Sequence, residues 1–400
     1  MKKIYLDHNA TTPINKLVAK VLEKSNRYYY GNPSSPYDPG KISRLEIEKA
    51  REEIAKFINC DRDELIFTSG GTESNNLAIT GSLNALFQKT KQEERHIITS
   101  QIEHLSVLSV FRELEKRSGR FRVTYLPVDK YGFVDPNSLE SSIDEHSELI
   151  SIMFANNEIG TIQPIKEMVK KAKSIKENIL FHCDAVQALG KIKIDVRDLG
   201  VDLLSVSSHK IYGPKGAGAL YIKKGVEVNL LFYGGHQEKG IRPGTENVYS
   251  IIGFGLACNL SRISLDKNIA FLAELKKYLT NRLLEELKEI VDIRIISPEN
   301  NCLPNTLGIC FEGIDNELLI SLLNKEGVYI SSGSACTSDS LEPSHVLLAA
   351  GLSPELARNT VRISLGIGNT KKELEIAVKK IKEIILKNKL ILKKSNRNAG

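Results

Sequence analysis

No stretch of the 400-residue chain approaches the about twenty consecutive apolar residues that a membrane-spanning helix needs. The start, MKKIYLDHNATTP, follows its two lysines with neither an apolar segment nor a small-residue cleavage site, so no secretory signal is expected. The six cysteines, Cys60, Cys183, Cys258, Cys302, Cys310 and Cys336, make no C-x-x-C pair and have no zinc-finger spacing to a histidine. They are therefore expected to be reduced thiols of a cytoplasmic protein, most of them buried as small hydrophobes, with no resident metal. Internal repeats and low-complexity linkers are also lacking. The net charge of +6 is concentrated between Lys371 and Arg397, where lysines alternate with isoleucine and leucine and no aromatic residue occurs. A nucleic-acid-binding face wants aromatics among its charges, so this segment is expected to be a lysine-coated amphipathic helix. Neither nucleic acid nor membrane is an expected partner.

What is present is the profile of a globular chain: 41% hydrophobic and 26% charged residues, at a length for one large domain or two that share a core. Seven apolar, β-branched runs recur: ELIFT (64–68), HIITS (96–100), FRVTYL (121–126), ELISIMF (148–154), NILFHC (178–183), DLLSVS (202–207) and GALYI (218–222). Amphipathic segments lie between them. After Pro164, for example, Ile165, Met168, Val169 and Ala172 fall at i, i+3, i+4 and i+7. This alternation predicts an α/β domain with a mainly parallel seven-stranded sheet and helices on both faces. From about residue 259 the pattern changes to a long charged helix (roughly 263–290), short strands near 291–296 and 305–311, a helix near 315–326 and a last helix after 370. We expect a large domain over 15–258 and a smaller α+β domain built from 259–400 with the arm 1–14, whose polar LDHNATTP needs a surface to lie on.

Ligands of open α/β sheets gather at the carboxyl ends of the strands. HCDAVQ places Asp184 at such an end, and SSHKIYGPKG, after the strand DLLSVS, places Lys210 in a glycine-bounded loop. An aspartate and a lysine on neighbouring strand ends are what pyridoxal 5'-phosphate requires. The lysine forms a Schiff base, and the carboxylate keeps the pyridine nitrogen protonated so that the ring draws electrons. TSGGTESNN (68–76) follows the first strand and opens a helix, offering backbone N–H groups and a hydroxyl to an anion. It is neither a Walker loop nor a G-x-G-x-x-G turn. Alone it fits a capped glycine turn equally well; beside Asp184 and Lys210 it fits a cofactor phosphate.

Nearly end to end, the chain resembles the NifS/IscS-like cysteine desulfurases of the class-V aminotransferase family. The motifs that carry the resemblance are YLDHNATTP (5–13), GNPSS (31–35), FTSGGTESNNLAI (67–79), EH (103–104), NNEIG (156–160), HCDAVQALGK (182–191), SSHKIYGPKGAGALY (207–221), RPGTENV (242–248), SSGSACTSDSLEPSH (331–345) and VRISLG (361–366). The resemblance implies the aspartate-aminotransferase-like fold of pyridoxal-phosphate-dependent transferases. By position, Lys210 resembles the Schiff-base lysine, Asp184 the partner of the pyridine nitrogen, and His104 the residue that stacks on the ring and moves protons. Gln187 and Asn157 resemble contacts on the phenolic oxygen side. Gly71, Thr72, Ser207 and His209 resemble phosphate ligands. Thr245 resembles a residue reaching the phosphate of the other subunit, which implies a homodimer. Arg362 and Asn32 resemble the contacts to the substrate carboxylate, and a fixed guanidinium suits bidentate capture of a carboxylate.

Cys336 stands apart from the other cysteines because it lies in a loop of small polar residues, SSGSACTSDS. A solvent-reachable thiol is poor packing material and a usable nucleophile. The resemblance makes it the sulfur-accepting cysteine, which takes sulfur from L-cysteine as a persulfide, leaves L-alanine and passes the sulfur to acceptor proteins such as an iron–sulfur scaffold. It also allows Cys336 to act as a transient iron–sulfur ligand. The loop resembles the long-loop group of the family. A selenocysteine lyase, or another enzyme on the same scaffold, is the alternative reading. The destination of the sulfur, iron–sulfur clusters or tRNA thiolation, stays open.

Overall fold

The computed structural model describes residues 3–89, 94–116, 119–332 and 342–397. Strand β1 (Ile4–Tyr5) precedes the helices Lys16–Tyr28 and Asp38–Ile58. Then come β2 (Leu65–Thr68), β3 (Arg95–Ser100), β4 (Phe121–Leu126), β5 (Ser147–Met153), β6 (Leu180–Asp184), β7 (Leu203–Ser207) and β8 (Gly218–Ile222). Each of the seven apolar runs becomes one of these last strands, and together they form one sheet in the order β2-β8-β7-β6-β5-β3-β4. From β4 to β7 all neighbours are parallel; β8 is antiparallel to both β7 and β2.

Both faces of this sheet are covered. On β3 and β5, Ile98, Ile150 and Ile152 enter one apolar cluster while Ile97 and Leu149 enter another, the period-two signature of a strand buried on two sides. The helix Ile165–Ile175 buries its four expected residues, Ile165, Met168, Val169 and Ala172. The helices Asp38–Ile58 and Val248–Ile263 approach closely at Gly255, where a Cβ would sit 2.5 Å from the Cα of Ala50. Parallel strands end on a common edge, and the register sets Met153 beside Asp184 and Asp184 beside Ser205.

A second apolar cluster lies under β9 (Ile293–Ile295), β10 (Thr306–Phe311), β11 (Val328–Tyr329) and β12 (Thr360–Ser364). β12, β10 and β9 form an antiparallel sheet. The helix Leu265–Leu287 contributes Leu272, Leu275, Leu279, Leu283 and Leu287 to this core, and the helix Lys371–Arg397 contributes Leu374, Val378, Ile381 and Ile385. The long helix expected over about 263–290 is bent by 74° from the helix before it. The arm lies on this second region: β1 pairs in parallel with β11, Leu6 N–H donates to the Tyr329 carbonyl at 2.9 Å, and Asp7 bridges Ser364. β1 and β11 are two residues each, too short to announce themselves by periodicity.

One buried group makes the fold sensitive to acid. His182, inside β6, sits between the hydroxyls of Ser151 (2.8 Å) and Ser205 (2.9 Å), and burial pushes its pKa down to about 3. Unfolded, the ring takes a proton near its ordinary 6.5, so stability falls as pH drops from 6.5 toward 3. By pH 5 the loss from this residue is roughly 2 kcal/mol. We expect His182→Gln to narrow the gap between the melting temperatures at pH 7 and pH 5; a gap equal to the parent's contradicts the assignment.

Candidate active site

The ends of β2, β3, β5, β6 and β7 and the arm converge on one cavity of about 250 Å³. Asp184 closes β6, only 5% exposed, and its carboxylate accepts hydrogen bonds from the Asn75 amide (Oδ2, 2.7 Å) and the Val186 backbone N–H (Oδ1, 3.0 Å). Both oxygens are held, so the group is fixed as an acceptor facing the cavity it lines. Lys210 lies in the short turn after β7 and donates to two carbonyls of the arm, Asn9 at 2.5 Å and Ala10 at 2.8 Å.

His104 stands between the end of β3 and the helix Leu105–Lys116. Its Nδ1 accepts the Ser106 backbone N–H at 3.1 Å and lies 2.8 Å from the Ser106 hydroxyl. With Nδ1 an acceptor, the proton of the neutral ring belongs on Nε2. Burial holds the ring's pKa below its ordinary value; Asp184 pulls it back up, while Lys210 and His345 push it further down. His209 is likewise kept neutral at pH 7: burial first, then the Lys210 charge, takes it down to about 4.

The wall opposite is built for an anion. Gly71 and Thr72 begin the helix Gly71–Asn76 directly after β2. At Gly71 a Cβ would lie 2.6 Å from Cγ2 of Val186, so only glycine lets the backbone reach this position without displacing that side chain. Ser207, at the end of β7, has a buried hydroxyl with no hydrogen-bond partner among the described residues, and it lines the same cavity. Glu73 ties this helix to the RPGTENV loop: it accepts from Ser69 N–H at 2.8 Å and from Arg242 Nε at 2.8 Å.

At the other end Arg362 comes from β12, 3% exposed. It donates to the Asp7 carboxylate at 2.5 Å and to the Asn157 carbonyl at 3.1 Å. A buried cation with a carboxylate and a carbonyl around it is fixed in direction, which a clamp for a substrate carboxylate needs.

Ten of the residues singled out in the sequence therefore line one cavity: Lys210, Asp184, His104, Gln187 and Asn157 around its middle, Gly71, Thr72, Ser207 and His209 on the anion side, and Arg362 beyond. Asn32 and Thr245 are not among its lining residues; both are exposed in the single chain. Cys336 lies outside the described residues. The sequence reading missed Asn9 and Ala10 of the arm, and also Asn75 and Ser106, which orient Asp184 and His104. Asn75 falls inside TSGGTESNN and Asn9 and Ala10 inside YLDHNATTP, so all three were within reach; what the sequence does not show is what the arm touches, since its contacts to Lys210 cross about 200 positions. A larger open groove of about 810 Å³ beside Leu180, at the amino end of β6, holds none of these residues and is lined by lysines and acids such as the Lys173–Asp202 pair.

Four of the other five cysteines are poor nucleophiles by environment. Burial raises the thiol pKa of Cys183 and Cys258 well above the ordinary range, takes Cys60 up to about 12, and raises Cys310 as well. Cys302 is half-buried, with the Lys276 amine 2.9 Å from its sulfur.

These residues fit pyridoxal phosphate: an amine and a fixed carboxylate at adjacent strand ends, a flat neutral imidazole, and an orphaned hydroxyl beside a glycine-walled helix start. The chain matches the aminotransferase class-V family over residues 4–376 and belongs to it. That family depends on pyridoxal phosphate. More particularly, the chain is 48% identical over 390 residues to the cysteine desulfurase IscS of Dictyoglomus turgidum, covering 98% of this chain and 96% of that protein. Among solved structures, a NifS-like protein aligns with a TM-score of 0.88 at 38% identity, over 96% of this chain and 99% of that one. SspA in complex with cysteine aligns at 0.76 and 36% identity, over 91% and 99%.

Proposed function

We propose that this enzyme is a cysteine desulfurase: it converts L-cysteine to L-alanine, holds the sulfur as a persulfide on Cys336 and delivers it to acceptor proteins for iron–sulfur cluster assembly or tRNA thiolation. The observation that carries the reading is the convergence of Asp184, Lys210, His104, Ser207 and Arg362 on one cavity. The cysteine complex of SspA, similar over 91% of this chain, supports cysteine as substrate.

In this reading Lys210 holds the cofactor through its amine, Asp184 pairs with the pyridine nitrogen, and the Gly71–Thr72 backbone with Ser207 and His209 holds the phosphate. When bound, pyridoxal phosphate supplies an electron sink that weakens bonds at the α and β carbons of an amino acid. The chain supplies the rest. Arg362, fixed by Asp7, takes the substrate carboxylate and so selects an amino acid. His104 presents a neutral ring whose Nε2 carries the exchangeable proton. The Cys336 thiolate attacks the substrate sulfur: an S–S bond forms, the Cβ–S bond breaks, its electron pair stays with Cβ, and a proton there completes alanine. The arm and the C-terminal region form the smaller of two domains, and the smaller one brings Arg362 to the larger.

Two outcomes check this reading directly. Purified protein should be yellow, and borohydride should abolish the colour and leave the modification on Lys210; a colourless protein that takes up no pyridoxal phosphate contradicts it. Thr245, exposed in the single chain, is assigned to the cofactor phosphate of a second subunit. Light scattering should give a dimer, and Thr245→Ala should weaken cofactor retention; a fully active monomer would show the cross-subunit assignment to be wrong.

A further inference from the structure

Lys191 is 5% exposed, and the charged groups that act on it most are Lys210 and Arg362, both cations. Burying an amine among like charges is costly, so its neighbours matter. The chain brings it inward through Gly190, whose φ of +73° is left-handed backbone and where a Cβ would lie 2.7 Å from Ile211. Its amine donates to two side-chain carbonyls: Gln187 Oε1 at 2.5 Å and Asn9 Oδ1 at 3.1 Å. Asn9 is itself immobilised. Its Oδ1 also accepts from Asn305 at 3.0 Å, its amide donates to Thr306 at 2.8 Å, and its backbone carbonyl accepts both Lys210 (2.5 Å) and Gln187 Nε2 (2.9 Å).

The consequence falls on Gln187. An amide side chain has an acceptor end and a donor end of nearly the same shape, and a neutral surrounding lets it turn either way. Held between two amide oxygens, the Lys191 amine donates to both, and as an ammonium it has no lone pair for the –NH2 end of Gln187. Gln187 then directs its –NH2 to the Asn9 carbonyl, with a second N–H left as a donor on a residue that lines the cavity. We propose that Lys191 is a positioning residue: anchored on Asn9, it locks the Gln187 amide with its donor end toward the cofactor cavity. This rests on the reading of that cavity as the pyridoxal phosphate site, with Gln187 on the phenolic oxygen side. Lys191 touches neither cofactor nor substrate in this proposal; it acts through Gln187.

The test is equilibrium binding of pyridoxal phosphate to the cofactor-stripped full chain, for the parent, Lys191→Met, Gln187→Ala and the double variant. Lys191→Met keeps the volume and removes the donor. We expect it to raise the dissociation constant about tenfold in the parent background, the scale of one lost orienting hydrogen bond. In the Gln187→Ala background the same change should have less than about a twofold effect, because the group it positions is gone. An unchanged constant in the first comparison overturns the proposal. So does an equal loss in both backgrounds, which would make Lys191 a packing residue only. If Lys191→Met does not fold, Lys191→Arg, which also only donates, is compared with Lys191→Gln, whose own amide turns either way. Arginine should bind the cofactor more tightly than glutamine, and equal binding overturns the proposal. A parent that binds no pyridoxal phosphate at all sinks the reading of the site instead, and the two failures are distinct.

Discussion

Replacing Cys336 with serine lowers alanine formation from L-cysteine on the order of a hundredfold or more, while the protein still takes up cofactor and still changes its spectrum on adding cysteine. The reason is chemical. Serine keeps the shape of the side chain but presents a hydroxyl that is scarcely ionised at neutral pH, whereas a thiol is a few per cent thiolate and intrinsically far more nucleophilic. Asp184, Lys210, His104 and Arg362 are untouched, so binding survives. The control is the matching change at Cys183 or Cys258, whose thiols burial keeps protonated. These variants should lose about 1–3 kcal/mol of stability and no sulfur transfer. A Cys336→Ser enzyme that makes alanine at the parental rate points instead to a lyase without a protein-bound sulfur.

Lys210→Ala is the second large effect. The variant should be colourless after dialysis and reduce alanine formation to background, because the cofactor loses its only covalent attachment in this account. Binding should weaken and not vanish: Ser207, His209 and the Asp184 carboxylate held by Asn75 remain. Absorbance and activity measured on the same dialysed sample check this. A variant that stays yellow and active places the attachment on another amine.

Much of this was legible in the sequence because it was local. The seven strands are runs of apolar and β-branched residues bounded by turns, and Asp184 and Lys210 follow from their positions at strand ends. The last helix buries the stripe that its spacing announces, Leu374, Val378, Ile381 and Ile385. What was not legible is what the arm does. Asn9 touches Asn157, Gln187, Lys191, Lys210, Asn305 and Ser364, and no periodicity marks a residue whose partners come from so many separate segments. Lys191 reads as a surface lysine by composition, since lysines are almost never buried; only the turn at Gly190 takes it inward. Thr245 and Asn32 make the opposite point. Their motifs mark them as site residues, yet one chain leaves both exposed, and the homodimer proposed for this enzyme is where the account places Thr245's partner group.

The central claim is that sulfur leaves L-cysteine onto one cysteine of this chain. The most direct measurement is mass spectrometry of proteolytic fragments after incubation with sulfur-labelled L-cysteine, without reductant, at less than one turnover of acceptor. The account predicts one added labelled sulfur on the peptide containing Cys336, removed by dithiothreitol, in step with one alanine released. Alanine release with no labelled sulfur on Cys336, or with the label on Cys302 beside Lys276, would contradict it.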